Sequence, residues 1–70
     1  MKKVVSEVSG SVWKVEVAVG QAVQAGDMLL IVESMKMEIP VEAPFGGTVT
    51  EVLVVEGDAV ADGQWLIRLD

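Results

Sequence analysis

The chain contains two copies of one sequence pattern, and this internal repeat is the feature that most limits its possible folds. Residues 10–33 align without a gap with residues 47–70, at an offset of 37. Nine of the 24 aligned pairs are identical, and three of these are glycine pairs that stay in register with apolar positions. A single copy is too small to bury an apolar face alone, so the repeat predicts two units packed against each other.

Each copy is predicted to form a strand, a glycine-bounded turn and a second strand. Val15 and Val17 alternate with Lys14 and Glu16, which is the period of two that is typical of a half-buried strand. The later strand places Leu30 and Val32 on one face and Ile31 on the other. The second copy repeats the pattern with Val52, Val54, Ile67, Leu69 and Arg68.

Irregular spacing near the start of each copy predicts a β-bulge. Val12 and Val49 lie three residues before the next inward position, which would put them on the wrong face of a regular strand. A bulge near Trp13–Lys14 and near Thr50–Glu51 restores them to the core. The turns are predicted to use positive φ at four glycines, namely Gly20, Gly26, Gly57 and Gly63.

No segment has a convincing period of 3.6 residues, so we expect essentially no helix. The 70 residues have room for one domain, residues 1–70, and the repeat favours an all-β flattened barrel or sandwich with quasi-two-fold symmetry. The first copy aligns with the second without a gap, so we expect no protruding thumb loop between its strands.

Composition excludes several classes of function. The net charge of −6 gives no electrostatic drive towards nucleic acid, and the scattered cations form no stripe for anionic lipid. Without cysteine or histidine, the chain has no disulfide, zinc or histidine-based acid–base chemistry. No signal peptide or transmembrane stretch is recognised, so we expect a cytoplasmic protein. We also expect the chain to be a monomer when it is isolated.

The segment between the two copies, residues 34–46, carries the candidate chemistry. One strand is expected to end near Glu33 and another to begin near Met37, with Ile39 and Val41 facing inward. Lys36 then lies at the tip of a hairpin, between Met35 and Met37. Tight turns normally use Gly, Asn, Asp or Ser, so a methionine–lysine–methionine tip indicates a functional constraint.

The stretch from Glu33 to Glu38 resembles the biotin attachment motif Ala-Met-Lys-Met, with Ser34 in place of the alanine. From about Val4 to Leu69 the chain is similar to the small stand-alone biotin carboxyl carrier proteins of the biotinyl/lipoyl attachment family, including the run from Glu42 to Gly47. The resemblance implies a flattened barrel of two four-stranded antiparallel sheets, with biotin joined to a lysine through an amide.

Carried over to this sequence, the resemblance assigns biotin to Lys36. It implies recognition of Met35 and Met37 by the ligase and partner enzymes, and for Glu33 a part in telling this hairpin from a lipoyl one. The partners implied are a biotin protein ligase, a biotin carboxylase and a carboxyltransferase. The chain would be a non-catalytic carrier that shuttles carboxyl groups on biotin, such as in an acyl-CoA carboxylase.

Other interpretations remain open at this point. A lipoyl carrier shares the fold, although its motif has an acidic residue before the lysine and usually alanine after it, where this chain has methionines. The barrel could also be an unmodified interaction module. A Schiff-base enzyme that used Lys36 would need a desolvated pocket, which a hairpin tip does not offer. The sequence of a carrier does not show which substrate finally accepts the carboxyl group.

The role of Glu33 also has two interpretations, because it could equally be an ordinary carboxylate at the end of a strand.

Overall fold

The computed structural model describes residues 2–70, and all regular secondary structure in this range is β-strand. In chain order, the first four strands are β1 (Lys2–Val5), β2 (Gly10–Val15), β3 (Ala22–Val23) and β4 (Met28–Ser34). The other four are β5 (Met37–Glu42), β6 (Gly47–Val52), β7 (Ala59–Val60) and β8 (Trp65–Leu69). The expectation of an all-β fold is confirmed.

The strands form two four-stranded antiparallel sheets, in the orders β1-β8-β6-β3 and β5-β4-β2-β7. The repeat offset of 37 converts one order into the other, because it relates β6 to β2, β7 to β3 and β8 to β4. The N-terminal strand completes the symmetry as the counterpart of β5. Val4 pairs with Ile67, and its equivalent Val41 pairs with Leu30. The predicted quasi-two-fold architecture is therefore confirmed.

Paired β-bulges bend the long strands at equivalent places in the two copies. Val12 pairs with Val32 and Lys14 with Ile31, so Trp13 is the extra residue, and Thr50 is its counterpart in β6. These bulges lie where the spacing of Val12 and Val49 predicts them. They allow the strands to curve around a small core.

A second pair of bulges was not predicted. Leu29 lies between the register positions Met28 and Leu30, and Leu66 is the extra residue opposite Val4 and Val5. Each bulge turns two successive side chains inward, so Leu29 and Leu30 are both fully buried. A strict period of two would have placed one of each pair in solvent.

The period of two extends to Val17 and Val54, but β2 ends at Val15 and β6 at Val52, two residues earlier. The chain has to leave one sheet there and cross to the other, because β2 and β3 belong to different sheets. The crossing segments 16–21 and 53–58 have equal length. In residues 2–70 neither copy carries a thumb insertion.

The core lies between the two sheets and consists almost entirely of aliphatic side chains. Its buried members are Val4, Val12, Val23, Leu29, Leu30, Val32, Ala43, Val49, Val54, Val60, Leu66, Ile67 and Leu69. The resulting body measures 30 × 18 × 18 Å. Within residues 2–70 there is no helix with the length and apolarity that crossing a bilayer requires.

Candidate attachment site

The β4–β5 hairpin closes with a two-residue turn. Ser34 pairs with Met37, which leaves Met35 and Lys36 as the two turn residues. Both have positive φ, 51° at Met35 and 64° at Lys36, as in the type I′ turn that suits the right-handed twist of a hairpin. The predicted position of Lys36 at a hairpin tip is therefore what the structure shows.

The tip exposes its apolar side chains to solvent. Met35 is 93% exposed and Met37 is 65% exposed, and Lys36 is also exposed. Within residues 2–70 the ion pairs are Lys14–Glu16 and Arg68–Glu51, so Lys36 belongs to neither. The turn thus presents a primary amine that no carboxylate of the described chain holds, flanked by two accessible thioethers.

Hydrogen bonds fix the base of the hairpin to the rest of the barrel. The Ser34 hydroxyl donates to the Ser9 carbonyl oxygen at 2.8 Å. The Ser9 hydroxyl in turn accepts from the Asp62 backbone N–H at 3.2 Å. This connection ties the hairpin to the β1–β2 loop and to the turn before β8. The sequence pointed to Ser34 only as a departure from the biotin motif, and did not predict its partner.

Glu33 lies on the stem of the hairpin, directly across the ladder from Glu38. Both carboxylates are exposed, and like charges in facing positions destabilise a strand pair slightly. Ile39 and Val41 are only half-buried, because β5 is an edge strand. Pro40 is tolerated in β5 for the same reason, as its missing N–H would be costly in a central strand.

The two tryptophans take different roles, although the sequence assigned neither to a site. Trp13 is 48% exposed on its bulge. The Trp65 ring is half-buried and has two cations close to it, with Lys3 Nζ at 4.6 Å and the Arg68 guanidinium at 4.8 Å from its centroid. Sequence spacing could not show these contacts, because Lys3 and Trp65 lie at opposite ends of the chain.

The chemistry available at the tip is acylation of an amine. Among residues 2–70 no group of three or more metal-ligating side chains is close enough to hold an ion. An exposed, unpaired amine on a rigid β-hairpin can enter another protein's active site without any part of the barrel having to unfold. These features fit a lysine that carries a covalent group.

Comparison with known families gives the same result. Residues 3–69 match the family model described as "Biotin-requiring enzyme". The chain belongs to this biotin/lipoyl attachment family. The match covers the first repeat copy, the hairpin and all but the last residue of the second copy.

Relatives of two very different lengths share this domain. The chain is 44% identical over 63 residues to the biotin/lipoyl attachment protein of Bacillus subtilis, covering 90% of this chain and 86% of the relative. It is 45% identical over 65 residues to Staphylococcus aureus pyruvate carboxylase, covering 93% of this chain but only 6% of that enzyme. The urea carboxylase structure from Kluyveromyces lactis superposes with a TM-score of 0.93 at 38% identity, over 99% of this chain and 6% of that one.

Proposed function

We propose that this protein is a biotin carboxyl carrier in which biotin is attached through an amide to Nζ of Lys36. The observation that carries the proposal is the β4–β5 turn, where Lys36 is exposed between Met35 and Met37 at the tip of the hairpin. Relatives that include pyruvate carboxylase and a biotin carboxyl carrier protein of acetyl-CoA carboxylase support biotin as the covalent group.

Each functional residue of the hairpin has a different role in the modification. Lys36 supplies the nucleophilic amine, which attacks the acyl carbon of the adenylate that the ligase makes from biotin and ATP. The amine loses a proton and AMP leaves as the amide forms. Met35 and Met37 offer apolar surface to the active site of a biotin protein ligase, and Glu33 offers a carboxylate on the stem. The backbone turn holds these groups in one arrangement, so that the ligase does not have to order a flexible peptide.

Held by Lys36, biotin would supply a ureido nitrogen that can take up a carboxyl group in a biotin carboxylase and give it up in a carboxyltransferase. The β4–β5 hairpin presents the attachment point on an exposed turn of the barrel. The tether raises the effective concentration of the group at both enzymes. The barrel would thus act as a non-catalytic subunit, and a cytoplasmic location stays a prediction.

Labelling of Lys36 is the direct test. The chain is incubated with biotin, ATP and a bacterial biotin protein ligase, and intact mass is recorded before and after. We expect the mass of one biotinyl group on the native chain and none on Lys36→Arg. Lys14→Arg is the matched control, since Lys14 is also an exposed lysine on the barrel. Labelling of Lys36→Arg, or its loss in Lys14→Arg, would contradict the assignment.

Lipoate is the alternative group, and it is less well supported. The relative from Bacillus subtilis is named as a biotin/lipoyl attachment protein, so the two chemistries share this fold. The same mass experiment distinguishes them when the chain is offered lipoate and a lipoate ligase in a parallel reaction. Faster transfer of lipoate than of biotin to Lys36 would favour this alternative.

A further inference from the structure

A groove separates the two edge strands β1 and β5, which lie side by side without pairing. It has a volume of about 430 Å³. Its walls come mainly from β1 and β5, which are counterparts at the repeat offset of 37 and lie outside the two copies themselves. The lining residues are Lys3, Val4, Val5, Glu7, Val8, Ile39, Pro40, Val41, Glu42 and Pro44. Neither the fold nor the proposed attachment chemistry accounts for this groove.

Two contacts show which end of the groove faces the hairpin tip. The bond from Ser34 to the Ser9 carbonyl places the β1–β2 loop beside the base of the hairpin. At the other end of β1, Lys2 Nζ lies 4.7 Å from the centroid of the Phe45 ring, which follows β5. The two edge strands therefore run antiparallel. The half of the groove near Lys36 is formed by Val5, Glu7, Val8, Ile39 and Pro40.

This half of the groove lies within reach of a group attached to Lys36. A strand rises about 3.3 Å per residue, which puts the Cα of Ile39 about 10 Å from that of Lys36. A biotinylated lysine side chain joins its Cα to the bicyclic ring through about eleven bonds, which span about 14 Å when extended. Biotin on Lys36 can therefore fold back along β5 and place its ring in the groove.

The groove also has the chemistry that the ring requires. Val8 and Ile39 are half-buried and Val5 is 41% exposed, so together they provide an apolar floor for the sulfur-containing ring and the methylene chain. Glu7 lines the same half with an exposed carboxylate. A carboxylate accepts hydrogen bonds, and the ureido group of biotin carries two N–H donors.

We propose that the β1–β5 groove is a resting site for biotin attached to Lys36, with Glu7 accepting from the ureido N–H groups. This inference rests on the proposed function, because it requires biotin at Lys36. Tethering gives an effective concentration of about millimolar, so even a weak groove is occupied for part of the time. The ring is then held on the barrel between visits to partner enzymes.

Backbone amide spectra of the unmodified and biotinylated chains test the groove directly, after intact mass has established that biotin is attached. We expect chemical-shift changes at Val5, Glu7, Val8 and Ile39 in addition to those around Lys36. The amides of Ala18 and Val55, in the crossing segments, serve as the internal reference and should not move. Changes confined to residues 34–37 would overturn the resting site while leaving the carrier function intact. A chain that gains no mass would overturn both.

A pair of carboxylate variants tests the hydrogen bond. In Glu7→Ala the shift changes at Val5, Val8 and Ile39 should fall by at least half. Asp62→Ala is the matched control, because it also removes an exposed carboxylate near the base of the hairpin but lies outside the groove. It should keep the full changes. Equal changes in both variants would overturn the role given to Glu7.

Discussion

The barrel contains two kinds of turn, which differ in the residues that adopt positive φ and in the size of that angle. The four turns inside the repeat copies use glycine, with φ between 84° at Gly63 and 96° at Gly57. The hairpin tip uses Met35 and Lys36, at 51° and 64°. The left-handed region open to side chains extends from about 50° to about 70°, so the tip lies inside it and the glycine turns lie outside.

The smaller φ values at the tip explain why this turn does not need glycine. Each residue with a Cβ in the left-handed region costs about 1–2 kcal/mol, which the surrounding ladder between β4 and β5 can offset. A φ above 80° would cost more, and the repeat turns accordingly keep glycine in both copies. The φ values at the tip are therefore low enough for Met35 and Lys36 to occupy the turn in place of glycine.

The largest effect is expected for a glycine whose role is contact rather than φ. A Cβ at Gly10 would collide with the backbone carbonyl of Glu33, and its equivalent Gly47 would bring a Cβ to 2.6 Å from the Asp70 carbonyl oxygen. Since backbone cannot move aside as a side chain does, we expect Gly10→Ala to lower the free energy of unfolding by about 3 kcal/mol. Urea denaturation measures it. A loss no larger than that of Gly20→Ala would show that the strands can separate at low cost.

Gly20→Ala measures how much free energy of unfolding is lost when a residue with a Cβ has to adopt a positive φ. A Cβ there would have no atom within 4 Å, but φ is 93°. We expect a loss of about 2 kcal/mol in the free energy of unfolding, which comes entirely from backbone strain. Gly57→Ala in the other copy is the matched variant and should lose the same amount. Unequal losses would mean that the two copies do not share their turn energetics.

Much of this comparison could be predicted from the sequence, because glycine spacing reports backbone conformation directly. The repeat predicted the four positive-φ glycines, the bulges at Trp13 and Thr50 and the hairpin that presents Lys36. It did not predict the bulges at Leu29 and Leu66, since a run of apolar residues carries no mark of which one is extra. Contacts between distant segments, such as the bond from Ser34 to Ser9, also left no periodic signal.

The tip offers a test in which stability and function change in opposite directions. Asn is the preferred first residue of a type I′ turn, so Met35→Asn should raise the free energy of unfolding by about 0.5 kcal/mol. If Met35 contacts the ligase as proposed, the variant also removes an apolar contact worth about 1.5 kcal/mol, and kcat/KM for biotinylation should fall about tenfold. Thermal unfolding and steady-state labelling measure the two effects.

Met37→Asn is the control for the tip, because Met37 lies in β5 rather than in the turn. Asn is disfavoured in strands, so this variant should lose stability as well as labelling. If Met35→Asn were labelled as fast as the native chain, Met35 would not be part of the surface that the ligase recognises. The methionine there would then be explained by neither folding nor modification.

A local effect, confined to the tip, is expected from loss of the bond that joins the hairpin to the barrel. Ser34→Ala removes the hydroxyl that donates to the Ser9 carbonyl, while the backbone pairing of Ser34 with Met37 remains. A hydrogen bond of this kind contributes about 1 kcal/mol, so local opening of the tip should become about fivefold more frequent. Hydrogen exchange at the amides of Met35, Lys36 and Met37 would show it, with little change in the global unfolding temperature.

Ser11→Ala is the control for that exchange measurement, since the Ser11 hydroxyl makes no hydrogen bond within residues 2–70 and its strand lies next to β4. It should leave exchange at the tip unchanged.

The kinetics of biotinylation distinguish two possible roles of the hydrogen bond between Ser34 and Ser9. If this bond orders the tip for the ligase, Ser34→Ala raises KM and leaves kcat unchanged, because a more mobile tip spends less time in the conformation that binds. If KM does not change while exchange accelerates, the turn and the β4–β5 ladder alone order Lys36, and the bond serves only to join the hairpin to the barrel.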